Sequence, residues 1–321
     1  MFLKRAKEGE NDLWRYVITI FVLIFAATLG GLPLVAVMTI NGAKAGKDPV
    51  DLQKMLAEGN YEALEMSSNT FLFFLLLQFV FVFFALWLMV RTLHKKSFTA
   101  ITTARSKVDW SRVWFGFGLW AAFLASAETV SYFLDPENYI WQLDLKAFLP
   151  LLAIALLILP IQTSAEELVT RGYLMQGISL IVEYRWIPLL VTSLLFGLLH
   201  ISNPEVAKYG FWVTMPGYIG IGVALAIMTL MDDGLELALG VHAANNIFGA
   251  LFVTFEGSVL STPALFKVLE INPLIGTIFT LIFSAVFIVI SARKYGWKDW
   301  TKVYGKIERA QREVEKAEWQ A

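Results

Sequence analysis

The chain has 321 residues, 57% of them hydrophobic and 17% charged, with a net charge of −1 and a mean hydropathy of +0.61. A soluble domain is roughly 45–50% apolar, so this composition reads as a multi-span membrane protein, and no basic surplus points to nucleic acid. The absence of cysteine removes disulfides, thiolate-ligated zinc and a thiol nucleophile from consideration.

The basic opening Met1-Phe2-Leu3-Lys4-Arg5 leads into an apolar run over residues 14–40. That run is too long for a signal-peptide core of roughly 7–15 residues, which predicts a retained first span. Residues 41–69 read as a polar connector, with a short helix expected around residues 51–64. Further apolar runs follow at 70–90, 113–134, 147–180, 187–202, 211–231, 235–255 and 273–292, each long enough, or nearly so, for a hydrocarbon core of about 30 Å. In lipid every backbone amide must be satisfied within its own element, and no two-residue alternation marks barrel strands. The predicted fold is therefore all-α, a polytopic bundle of about eight transmembrane helices in one membrane domain. With an even number of spans, nineteen Lys and Arg fall on one side and six on the other, which predicts both termini in the cytoplasm of a cell-membrane protein. Residues 293–321 form a basic tail in which Lys298, Lys302 and Lys306 alternate with Trp297 and Trp300, a make-up suited to an anionic lipid surface.

Three of the predicted spans carry ionisable groups at bilayer depth, where each charge costs at least ~2.5–3.5 kcal/mol on insertion scales, so a functional site is the default reading. Glu167 and Arg171 are four apart and share a helix face, whereas Glu166 is turned about 100° away. One carboxylate is thus expected to be held by the guanidinium and the other left free to act as general base. His200 lies on the next span behind Gly197, and His242 and Asn246 project side by side from the seventh. At ~1.5 Å per residue from the cytoplasmic helix ends, Glu166 lies about 20–22 Å deep, His200 and Asn246 about 21 Å and His242 about 15 Å. The groups share a level. His94, in the basic run 91–96, reads instead as a solvated loop residue.

The ordered set Glu-Glu-x-x-x-Arg (Glu166, Glu167, Arg171), Phe-x-x-x-His (Phe196, His200) and His-x-x-x-Asn (His242, Asn246) resembles the CAAX prenyl endopeptidase and bacteriocin-processing (CPBP) family of intramembrane endopeptidases. The motif-bearing block, residues 145–255, covers about a third of the chain. The resemblance implies hydrolysis of membrane-associated, CAAX-type or other, proteins or peptides within or near the cytoplasmic half of the bilayer, with catalytic helices at 145–255. Two mechanisms fit the residues. In one, Glu166 with His200 activates water while His242 and Asn246 stabilise the oxyanion, with Glu167 supported by Arg171. In the other, His200, His242 and a carboxylate hold Zn2+.

Two rival readings are a non-catalytic scaffold or bacteriocin-immunity protein and, with less support, an ion-coupled transporter, against which the lack of an internal repeat counts. Glu128 is expected at the interface, Asp232, Asp233 and Glu236 in a turn and first helical turn, kinks at Pro160 and Pro216, and substrate contacts from Tyr173 or Asn203.

Overall fold

The computed structural model describes residues 1–48, 50–51 and 66–307, and within them eight helical rods dominate. They are α1 (Leu13–Lys44), α2 (Ser68–Thr92), α3 (Trp110–Leu134), α4 (Leu145–Ser179), α5 (Trp186–Leu199), α6 (Phe211–Asp232), α7 (Glu236–Leu251) and α8 (Pro273–Tyr295). Among the described residues, six are long and apolar enough to cross a membrane, and α5 is a shorter apolar helix. Phe21, Phe84, Leu157, Leu199 and Ile282 stay exposed on their outward faces, the arrangement expected where the solvent is lipid. The short helix expected around residues 51–64 and the tail beyond residue 307 lie outside the described residues.

One departure from an all-helical reading occurs at the loop ends. A small sheet orders as β1 (Tyr139–Trp141), β3 (Phe266–Val268) and β2 (Val253–Phe255), with β3 central, antiparallel to β1 and parallel to β2. Strands of three residues are too short to show alternation. The seventh rod therefore ends at Leu251, and the fifth at Leu199, one residue before His200.

The loops gather at two opposite faces. On one, the Phe2 N–H donates to Asp233 Oδ1 (2.9 Å), Lys302 Nζ to Asp233 Oδ2 (2.6 Å), Arg5 Nη1 to the carbonyl oxygens of Thr103 and Arg105, and the Ile307 N–H to the Glu183 carbonyl oxygen. The start of the chain and residues 296–307 thus share one basic face, and that stretch of the tail packs on the protein. Asp233 caps α6 in the left-handed conformation, while Asp232 and Glu236 both pair with Arg105. On the opposite face, Asn138 pairs with Glu270, Gln142 with Leu265, and Lys208 with Glu256.

His94 is not solvated. It is 1% exposed, with Nε2 2.7 Å from the Tyr173 hydroxyl and Nδ1 2.9 Å from the Glu10 carbonyl oxygen, because residues 2–10 fold over it. Burial holds its imidazole below the ordinary histidine value. Of the two proline positions, α4 breaks at Ile158 just before Pro160, whereas α6 continues through Pro216 as one helix.

The helix carrying His242 is pressed hardest against α3. A Cβ on Gly116 would sit 2.7 Å from the Leu237 carbonyl oxygen, and one on Gly240 would collide with the Val113 carbonyl. Only glycine lets these backbones approach so closely. Gly240→Ala is expected to destabilise the protein by about 1–3 kcal/mol through overpacking and to displace His242. Denaturant unfolding in detergent would check it, and an unchanged midpoint would show that the two helices can separate freely.

Candidate active site

The centre of the site is a π-helical stretch inside α4. Residues 159–167 are α-helical, Leu168–Leu174 are wound as a π-helix, and Met175–Ser179 return to α. Such bulges are frequent at functional sites. Here the Thr170 hydroxyl donates to the Glu166 carbonyl oxygen at 2.5 Å.

Glu167 and Arg171 flank this change of winding and are both 0% exposed. Arg171 Nη1 donates to Glu167 Oε1 (2.8 Å) and Thr170 Oγ1 (3.1 Å), and Nη2 donates to the Gly222 carbonyl oxygen on α6 (3.1 Å). Its guanidinium carbon lies 4.3 Å from the centroid of the Phe196 ring, a cation–π contact. Gly222 permits this, since a Cβ there would come within 3.3 Å of Arg171 Nη2.

The same Glu167 Oε1 is 2.8 Å from His242 Nδ1. An ionised Glu167 accepts the Nδ1 proton and so fixes the ring's orientation. That presents Nε2 to the second carboxylate, with Glu166 Oε2 3.4 Å away and no aligned hydrogen bond between them. The four groups thus form a chain, Arg171–Glu167–His242–Glu166. The i,i+4 pairing expected on α4 is present, and the structure adds the connection to α7.

His200 stands just past the end of α5. Its Nδ1 lies 2.7 Å from the Phe196 carbonyl oxygen and its ring stacks on Tyr218 at 4.5 Å between centroids. A carbonyl can only accept, so Nδ1 carries the proton and Nε2 the lone pair. On α7, Asn246 Nδ2 donates to Gln162 Oε1 (3.0 Å), and Asn245 Oδ1 accepts from Trp120 Nε1 (3.3 Å). His200, His242 and Asn246 line one cavity of about 330 Å3 together with Tyr218, Asn245 and Glu205. Glu166 is not on its wall and meets it through His242.

Among the described residues no group of three His, Asp or Glu side chains is placed to hold a metal ion; the Nδ1 atoms of His200 and His242 face the Phe196 carbonyl oxygen and Glu167 Oε1, which leaves their Nε2 atoms free of hydrogen-bond partners.

Gln162, Tyr218, Trp120 and Glu205 were not singled out in the sequence, because each acquires its role from a contact 15 to 125 residues away. Conversely, Tyr173 points to His94, and Asn203 donates to the Tyr218 hydroxyl (3.0 Å), so neither is aimed at a reacting group. Glu128 accepts from the Tyr139 hydroxyl (2.8 Å) and lines a different, apolar cavity of about 570 Å3 on the far side of α7.

Comparison with known proteins matches residues 146–248 to the family model described as "Type II CAAX prenyl endopeptidase Rce1-like". The "Uncharacterized protein YyaK" of Bacillus subtilis (strain 168) is 31% identical over 285 residues, spanning 88% of this chain and 92% of that one. No solved structure matches the chain.

Proposed function

The chain belongs to the CPBP family, whose Rce1-like members are type II CAAX prenyl endopeptidases, and from that premise we propose that it is an intramembrane endopeptidase cleaving membrane-associated proteins or peptides by activating a water without a covalent intermediate. The observation that carries this reading is the buried chain Arg171–Glu167–His242, in which His242 lies 3.4 Å from Glu166 and stands on the wall of a cavity that His200 and Asn246 also line.

In the reactive state His242 Nε2 carries a proton and Glu166 is ionised. Glu166 is then the base that takes a proton from water, and His200 Nε2 accepts the other water hydrogen and orients the nucleophile. As the water oxygen bonds to the scissile carbonyl carbon, the oxyanion is met by the His242 Nε2–H and the second Asn246 amide hydrogen. Each such donor contributes a few kcal/mol. Collapse breaks the C–N bond, and Glu166 returns its proton to the departing amine. Arg171 acts only through Glu167. No step is routed through a metal.

Setting the basic face in the cytoplasm of a cell membrane follows from the excess of Lys and Arg there. The cavity then opens the other way, since Glu205, Tyr209, Phe255 and Ile271 on its wall belong to the opposite loops. This shifts the site away from the cytoplasmic half expected from the resemblance and favours substrates presented from the outer side.

The test is cleavage of a library of apolar membrane peptides by the purified full chain in liposomes. We expect wild-type cleavage that resists a strong zinc chelator, loss of about 100-fold or more in His200→Ala, and no change in Glu128→Gln, on the far side of α7. Cleavage abolished by the chelator would sink the metal-free mechanism. Absence of cleavage by folded protein would return the scaffold reading.

A further inference from the structure

Away from the cavity, on the basic face, one buried charge is left without a counter-charge. Arg185, in the turn between α4 and α5, is 6% exposed. Its backbone is held: the N–H donates to the Gly305 carbonyl oxygen, and its own carbonyl oxygen accepts from Leu189. Its guanidinium is not. Nε is buried without a partner, Nη2 meets only the Met1 sulfur at 3.4 Å, and Nη1 makes no hydrogen bond yet is not sealed from its surroundings. Among the described residues no carboxylate pairs with it. Asp299 is near enough to feel its charge, but turns Oδ1 to the Thr301 N–H and hydroxyl instead.

An arginine cannot shed its charge when it is buried. A desolvated guanidinium with no partner costs several kcal/mol. Arg185 is also the N-cap of α5, where the positive end of the helix dipole adds to that cost. Its side chain forms part of a small pocket walled by Leu3, Lys4, Lys7 and Ile307, and no Asp or Glu lines it. Lys7 is exposed and makes no ion pair among the described residues. Positive charges thus converge where the protein supplies no negative one, and the counter-charge has to come from a bound anion.

The surroundings say what that anion is attached to. Trp186, exposed, follows Arg185 directly, the place an indole takes at a membrane–water boundary. Beyond it Leu190, Leu194 and Leu198 present one exposed apolar stripe along α5. An anion held by Arg185 would sit at headgroup level with acyl chains lying along that stripe. We propose that the pocket binds the phosphate of an anionic phospholipid, Arg185 offering paired N–H donors and Lys7 a second positive charge. Basic pockets between helix ends on the cytoplasmic side suit such headgroups, and the planar fork of a guanidinium matches two phosphate oxygens. The site is independent of the peptidase reading.

The test is native mass spectrometry of the full chain in non-ionic detergent, titrated with phosphatidylglycerol or phosphatidylcholine to count bound lipids. One phosphatidylglycerol is expected to bind at least about tenfold tighter than phosphatidylcholine, the lower edge for hydrogen bonds to a charged group. Arg185→Gln should erase that difference and keep the wild-type unfolding midpoint in lipid-free detergent, because the charge it removes has no partner in the unliganded protein. Lys7→Gln, at an exposed position, should weaken phosphatidylglycerol about fivefold. Lys298→Gln, which removes a charge from the same face outside the pocket, should change nothing. Equal binding of the two lipids by wild type overturns the proposal, as does a preference that survives in Arg185→Gln or is lost equally in Lys298→Gln, which would mark a general attraction of the face. A lowered midpoint of lipid-free Arg185→Gln would make Arg185 a brace of the fold and overturn it too. Millimolar inorganic phosphate is expected to leave the lipid in place. Displacement by phosphate alone would assign the pocket to free phosphate and remove the lipid.

Discussion

Glu166→Gln is expected to lower kcat for peptide cleavage by about 10^3 to 10^4, the upper range for loss of a positioned general base, with peptide affinity and unfolding midpoint close to wild type. The amide keeps the volume of the carboxyl, and Glu166 Oε2 makes no hydrogen bond whose loss would unsettle α4. What disappears is the carboxylate 3.4 Å from His242 Nε2, the group proposed to carry the proton from water to the departing amine. The double variant Glu166→Gln with His242→Ala should be scarcely slower than either alone, because in the proposed mechanism the two act on one water as a unit. Single-turnover kinetics in liposomes would decide this. A fall in kcat of less than tenfold would remove Glu166 from the base role, and a multiplicative double variant would separate its role from that of His242.

Much of the site was legible because helices impose a simple periodicity. The span boundaries follow from apolar runs, and the pairing of Glu167 with Arg171 follows from their spacing, which holds across the change of winding. The connection from Glu167 to His242 was not legible. It joins residues 75 apart on different helices, which no helical periodicity relates. The π-helical winding of Leu168–Leu174 has no marker in residue type. His94 was misread for a related reason. Its basic neighbours describe a surface loop, and only the fold of residues 2–10 over that loop buries it.

Arg171→Met should cost about 3–5 kcal/mol of stability, the range for removing one partner of a buried ion pair. Methionine fills much of the space, but it leaves Glu167 ionised, 0% exposed and with the His242 ring as its one remaining donor. It also frees the Gly222 carbonyl oxygen and deletes the cation over Phe196. If the cost arises from the stranded carboxylate, then Arg171→Met with Glu167→Gln should recover about 1–3 kcal/mol of it, since contacting residues couple by that amount. Activity should stay low in the double variant, because a glutamine amide does not hold the His242 ring as a carboxylate does. Stability regained without activity would place Arg171 as the support of Glu167 and Glu167 as the group that orients His242. Additive losses in the double variant would mean that the guanidinium matters chiefly for its bond to α6, and the link from Arg171 through Glu167 to the reacting atoms would be broken.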